Sequence, residues 1–141
     1  MEEKDERYKG FIKAINIEKI YLKTIDVNRL IDINSEKGNL ELDLQDVVYN
    51  YNEDNGNIIY EVNVNIMGHF DNQDKDEEHF HINATYVVIY SLKEQIEITD
   101  DILERYEKNA IFNVWPYIRN VAGDMSNKME LSLPPVPLFK F

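Results

Sequence analysis

Five apolar side chains stand at strictly alternate positions, Ile58, Tyr60, Val62, Val64 and Ile66, with Glu61, Asn63 and Asn65 between them. Only an extended backbone collects such a pattern on one face, because successive strand side chains point to opposite sides. Residues 58–68 therefore read as a strand with one buried face. Upstream, Leu40, Leu42 and Leu44 alternate in the same way, and then the apolar phase slips by one to Val47, Tyr49 and Tyr51. A bulge near Gln45-Asp46 would produce that slip. The polar, glycine-containing stretch Asn52-Glu53-Asp54-Asn55-Gly56-Asn57 joins the two strands as a hairpin.

Two more strands complete the pattern. From Phe80, the series Ile82, Ala84, Tyr86, Val88, Tyr90 alternates, and between Tyr86 and Tyr90 both faces are apolar, so the second face needs a cover. An earlier strand is drawn from Ile15, Ile17, Ile20, Leu22, Ile25 and Val27, with interrupted alternation. Beyond residue 98 the period changes. Thr99-Asp100-Asp101 offers a cap and negative charge for a helix start, and Leu103, Tyr106, Ala110, Val114, Tyr117, Val121 and Met125 recur at three- and four-residue spacing. Pro116 is expected to kink or restart that helix near Trp115, giving two pieces. Strands followed by helix predict an α+β fold, a four-stranded antiparallel sheet with a long kinked helix on one face. Residues 1–10 read as a charged N-terminal arm and 11–141 as a single domain, with no internal repeat or linker.

Composition narrows function more than fold. The 141 residues carry a formal charge of -12, which repels nucleic acid. There is no cysteine, so disulfides, thiol catalysis and thiolate metal sites are excluded. The opening Met1-Glu2-Glu3-Lys4-Asp5-Glu6-Arg7 is a charge cluster unlike a signal peptide, and no apolar run is long enough to span a bilayer, so the expected location is the cytoplasm. With five glycines and no phosphate-loop, nucleophile-elbow or metal-protease motif, the chain is expected to be neither an enzyme nor a cofactor carrier. His69, His79 and His81 flank the acidic loop Asp71-Asn72-Gln73-Asp74-Lys75-Asp76-Glu77-Glu78, with His79 and His81 on one strand face. A metal pair would use that spacing; the simpler reading is solvated polar residues opposite the buried face, and no metal site is assigned. Aromatics make up 11% of the chain and are expected to serve core, subunit contacts and apolar recognition.

The last third, Ile111-Phe112-Asn113-Val114-Trp115-Pro116-Tyr117-Ile118-Arg119 followed by Leu131-Ser132-Leu133-Pro134-Pro135-Val136-Pro137-Leu138-Phe139, resembles the SecB family of protein-export chaperones. That family carries a hydrophobic-Pro-Tyr-Ala/Ile-Arg helix and then a hydrophobic-x-Pro-Val-x-Phe segment. Ile20-Tyr21-Leu22-Lys23, Ile59-Tyr60-Glu61-Val62 and Val88-Ile89-Tyr90-Ser91-Leu92 are similar to successive strands of the family, so the resemblance spans roughly residues 11 to 139.

The resemblance implies an ATP-independent holdase that binds nonnative polypeptides on a hydrophobic groove, in a homo-oligomer built as a dimer of dimers with the long helix packed between two sheets. It places the groove at Leu30, Ile31, Ile33, Leu40, Leu42, Val136, Leu138 and Phe139, although burial beneath the loop is an equal reading for the first three. Val114, Tyr117, Ile118, Val121 and Met125 are assigned to the oligomer interface, divided with the core. The family continues past the Pro-Val-x-Phe segment into a groove-walling helix and a tail that contacts the SecA motor, and this sequence ends at Phe141. Where the family presents acidic residues to SecA on the first strand, Thr24 and Asn28 stand here with Asp26 between them, which argues against delivery to SecA. The competing expectation is a dedicated adaptor or antitoxin-type chaperone with one specific partner.

Overall fold

The computed structural model describes residues 2–30, 38–70 and 79–128. The elements run α1 (Glu2–Ala14), β1 (Ile15–Arg29), β2 (Gly38–Asn52), β3 (Asn57–Phe70), β4 (Phe80–Leu92), α2 (Asp100–Arg105) and α3 (Glu107–Lys128). The four strands form one antiparallel sheet in the order β1-β4-β3-β2. Consecutive hairpins join β2 to β3 and β3 to β4. β1 instead crosses to the far side of β4, so that its end and the start of β2 are separated by two strands.

Each apolar series found in the sequence lies on the face beneath α3, here called the inner face. On β3, Ile58, Tyr60, Val62, Val64 and Ile66 have no accessible surface. The phase slip of β2 is a bulge: Leu44 pairs with Val64 and Val47 with Val62, so Gln45 and Asp46 together face one residue of β3. The interrupted alternation of β1 has the same cause twice over, with register shifts between Ile17 and Lys19 and between Leu22 and Thr24. Each extra residue returns the next apolar side chain to the inner face, so Ile15, Ile17, Ile20, Leu22, Ile25 and Val27 share it by register. The β2–β3 turn closes with Gly56 at φ +74°, a left-handed conformation that glycine adopts without Cβ strain.

The residues read as a charged arm are mostly helical. α1 turns Phe11 and Ala14 into the core and half-buries Tyr8, a three-residue spacing that puts them on one side. Thr99 caps α2 as expected, its hydroxyl accepting from the Ile102 amide at 3.4 Å. The helical region does come in two pieces, but the break lies at Tyr106 and not at Pro116, which α3 carries inside it. Pro116 is exposed, on the side of α3 turned away from the buried Val114 and Ile118. Tyr106 is held in an aromatic cluster, 5.2 Å from the rings of both Phe11 and Tyr90 in edge-to-face contact.

Tyrosines give this core polar as well as apolar ties. The Tyr60 hydroxyl donates to the Leu103 carbonyl at 2.6 Å, and the Tyr86 hydroxyl donates to the Tyr117 carbonyl at 3.1 Å. Asn113 donates to the Tyr90 hydroxyl at 2.7 Å, fixing α3 over β4. Such bonds satisfy groups that would otherwise be costly to bury.

Two outcomes follow from this packing. A Cβ on Gly68 would lie 1.5 Å from the ring of Phe80, which is wholly buried and has no room to yield. Gly68→Ala is therefore expected to lower stability in urea titrations by about 3 kcal/mol, while Gly10→Ala, in open space on α1, raises it by up to about 1 kcal/mol. Burial holds the Tyr60, Tyr90 and Tyr106 hydroxyls above the ordinary phenol value. Below pH ~10 folded and unfolded chains are both neutral at these groups; above it the unfolded chain sheds protons that the folded chain keeps. The urea midpoint is expected to start falling near pH ~10, where an unfolded phenol titrates, and to go on falling above it while the folded phenols keep their protons; Tyr60→Phe is expected to flatten that fall.

Candidate functional site

α3 rests on β3 and β4, the two central strands. The inner faces of both edge strands are left less covered. On β1, Ile17, Leu22 and Ile25 are between 37% and 44% exposed although they face the same way as the core. On β2, Leu42, Leu44, Val47, Tyr49 and Tyr51 are half-buried and pack against the rim of the core. The site is thus a pair of apolar rows flanking one helix, about 15 residues of strand each.

The two rows differ in electrostatics. Burial raises the Tyr49 hydroxyl above the ordinary phenol value, and the carboxylates of Glu104, Asp100, Glu107 and Asp101 push it the same way, so α2 and the start of α3 bring negative charge to the Tyr49 end of the β2 row. The Glu107 carboxyl is itself raised, first by burial and then by Glu104. Beside the β1 row lies a hollow lined by Tyr86, Tyr117, Asn120, Val121 and Asp124 of β4 and α3.

The outer face is divided: Tyr21, Val48, Ile59, Val87 and Ile89 lie at one end, and at the other polar groups bond to one another. Thr85 donates to Asn63, Asn83 donates to Asn65, and Asn63 donates to the Asp46 carbonyl at 3.1 Å. His81 Nε2 lies 3.3 Å from Asn65 Oδ1. Lys23 of β1 reaches Glu61 of β3, so the ion pair crosses β4 beside Val87, the residue opposite Glu61. Val87 is 2% exposed, which is where the second apolar face of β4 finds its cover.

The expected groove residues are only partly brought together. Leu30 is 52% exposed at the end of β1, its amide donating to the His79 carbonyl at 2.9 Å. Leu42 lies on the inner face of β2, and the backbone of Leu40 pairs opposite Gly68. Leu30 and Leu42 are therefore at opposite edges of the sheet. Ile31, Ile33, Val136, Leu138 and Phe139 lie outside the described residues. Of the five residues assigned to an oligomer interface, Val114 and Ile118 have no surface to offer and belong to the core of the single chain. Tyr117 is 46% exposed, and Val121 and Met125 are half-buried.

The histidines also need a correction. Solvated side chains are expected, yet His79 is 1% exposed, with its amide donating to the Gly68 carbonyl at 2.8 Å and its ring centroid 5.7 Å from that of His69. It ties the ends of β1, β3 and β4 together. Among the described residues, no group of three or more His, Cys, Asp or Glu is placed to hold a metal ion. Among them, too, no helix is long and apolar enough to cross a membrane.

No protein-family model matches the chain, and no curated protein does. Among solved structures it matches the Mycobacterium tuberculosis Rv1957 SecB-like chaperone, which is in complex with a ChAD peptide from the Rv1956 HigA1 antitoxin. The TM-score is 0.79 at 12% identity, over 96% of this chain and 96% of that one. The fold is that of a SecB-like chaperone. Within the SecB-like fold, sequence reasoning missed that Ile17, Leu22 and Ile25 stay open and that Leu44, Val47 and Tyr49 extend the β2 row. Their alternation was visible; which strands the helix would cover was not.

Proposed function

We propose that the protein is an ATP-independent holding chaperone that binds nonnative polypeptide on the apolar inner row of β2 and acts as a binder, not a catalyst. The observation that carries this reading is the uncovered rim of a SecB-like core: apolar side chains held in register by a rigid sheet beside a strongly acidic surface. Many weak apolar contacts suit unrelated clients, because unfolding exposes little else in common. A second copy of the chain covers the β1 row, where three core-facing apolar residues are too exposed for a finished monomer. The working location is the cytoplasm.

A narrower reading has its own support. The neighbour of like fold is in complex with an antitoxin peptide, which favours a dedicated partner for this chain also. Delivery to SecA has less behind it. Thr24, Asp26 and Asn28 share the outer face with a neutral row of Asn63, Asn65, Asn83 and Thr85, and the other acidic residue of β1, Glu18, lies at the far end of the strand beside Ser91.

Light scattering of three unrelated denatured proteins, diluted with and without the chaperone in the absence of ATP, tests the general reading. Suppression for all three, saturating at a fixed ratio, is expected; suppression of none would leave the dedicated adaptor. Leu42→Asp should raise the amount needed for half-suppression about fivefold or more, whereas Val48→Asp on the outer face should leave it unchanged. In light-scattering mass measurements, Leu22→Lys with Ile25→Lys is expected to shift the assembly toward the single chain without lowering its helix content.

A further inference from the structure

The chain carries 27 acidic residues against 15 lysines and arginines, yet three of those cations gather round one hollow between α1 and α2. Its volume is about 150 Å³. Lys4 and Arg7 of α1 and Arg105 of α2 line it, with Asp101 as the one carboxylate among the described lining residues. Tyr8, half-buried, and Ile102, 6% exposed, supply the apolar wall.

The polar groups are held in place but not used up. The Arg105 guanidinium lies 4.0 Å from the centroid of the Tyr8 ring, and Asn109 donates to the Tyr8 hydroxyl at 3.1 Å, so ring and guanidinium are fixed against one another. Arg105 Nη1 meets Asp5 at 3.1 Å, which leaves most of the guanidinium N–H groups for other acceptors. Lys4 stands 3.7 Å from Asp101, a loose and exposed pair that holds little energy. Among the described residues Arg7 has no ion-pair partner. Thr99 also lines the hollow, and its hydroxyl accepts from the Ile102 amide, so its own proton is left to donate.

We propose that this hollow binds a small phosphate monoester, the phosphate at the mouth among Lys4, Arg7 and Arg105 and the ring-sized body of the ester against Tyr8 and Ile102. A cavity of roughly 150 Å³ accommodates a benzene-sized group. A guanidinium fork matches phosphate oxygens two at a time. A doubly charged ester suits three cations opposed by one lining carboxylate, whereas a single negative charge leaves them undercompensated. Because the cations come from both helices, an occupant ties α1 to α2. The site is separate from the apolar strand rows and does not rest on the polypeptide-binding reading.

Isothermal titration of the full chain with phenyl phosphate tests this, at pH ~8 where the ester carries two charges. Phenol supplies the body without the charge, and inorganic phosphate the charge without the body. Phenyl phosphate should bind at least about tenfold more tightly than either. Arg7→Gln should weaken it about tenfold, and Arg105→Lys, which keeps the charge but loses the stacked fork, at least about fivefold. Lys9→Gln makes the same charge change on α1 outside the hollow and should leave the affinity within about twofold. Leu42→Asp should leave it unchanged too, whatever becomes of aggregation suppression. No binding up to about 10 mM, equal binding of phenyl phosphate and inorganic phosphate, or a loss in Arg7→Gln no greater than in Lys9→Gln overturns the proposal.

Discussion

The arrangement depends on a mismatch of widths. A helix with its side chains is about 10 Å across, whereas four strands at about 4.8 Å spacing present a far broader sheet. One long helix laid along β3 and β4 seals the centre, where β3 and β4 inner residues reach zero exposure. It has no reach left for both margins. α1 and α2 close only the end at which Tyr60, Tyr90, Tyr106 and Phe11 meet. The open rows are thus a product of the same contact that makes the core, and weakening that contact to widen a groove would cost the fold itself.

Most of the architecture could be read from the chain because local periodicity was clean. The uninterrupted alternation of Ile58 to Ile66, the slip after Leu44 and the cap at Thr99 each have a single local cause, and each is found where expected. The misplaced helix break has a tertiary cause. Pro116 is the stronger local breaker, but it sits on the exposed side of α3, while Tyr106 is held by rings from α1 and β4. His79 misled for a similar reason: an imidazole between an acidic run and a strand reads as solvent-facing until β1 and β3 close on it. The candidate site was legible only as residues of the right type. Exposure of Ile17, Leu22 and Ile25 is decided by how far α3 extends sideways, and no spacing within β1 encodes that.

The polar end of the outer face is held together by its own hydrogen bonds. Asn63, Asn65, Asn83 and Thr85 bond to one another along the central strands, which leaves few groups seeking partners. Where β4 does turn apolar at Val87, an ion pair between its two neighbouring strands crosses beside it. The aliphatic stem of Lys23 and the charged tip serve different ends there, one lying along apolar surface and the other meeting Glu61. The two faces therefore differ most at the end where these amides lie.

The crossing of β1 to the far side of β4 has a consequence in time. The β2–β3 hairpin closes through Asn52 and Asn57, near neighbours in the chain, whereas β1 must pair Ile15 with Leu92 and Arg29 with Phe80. Contacts so distant in sequence carry the largest loop-closure cost and form late. Until they do, β4 is itself an edge, with Phe80 to Tyr90 unpaired on one side. During synthesis the first strand emerges long before its partner, so this chain passes through the same exposed, strand-seeking condition that a holding chaperone would relieve in others.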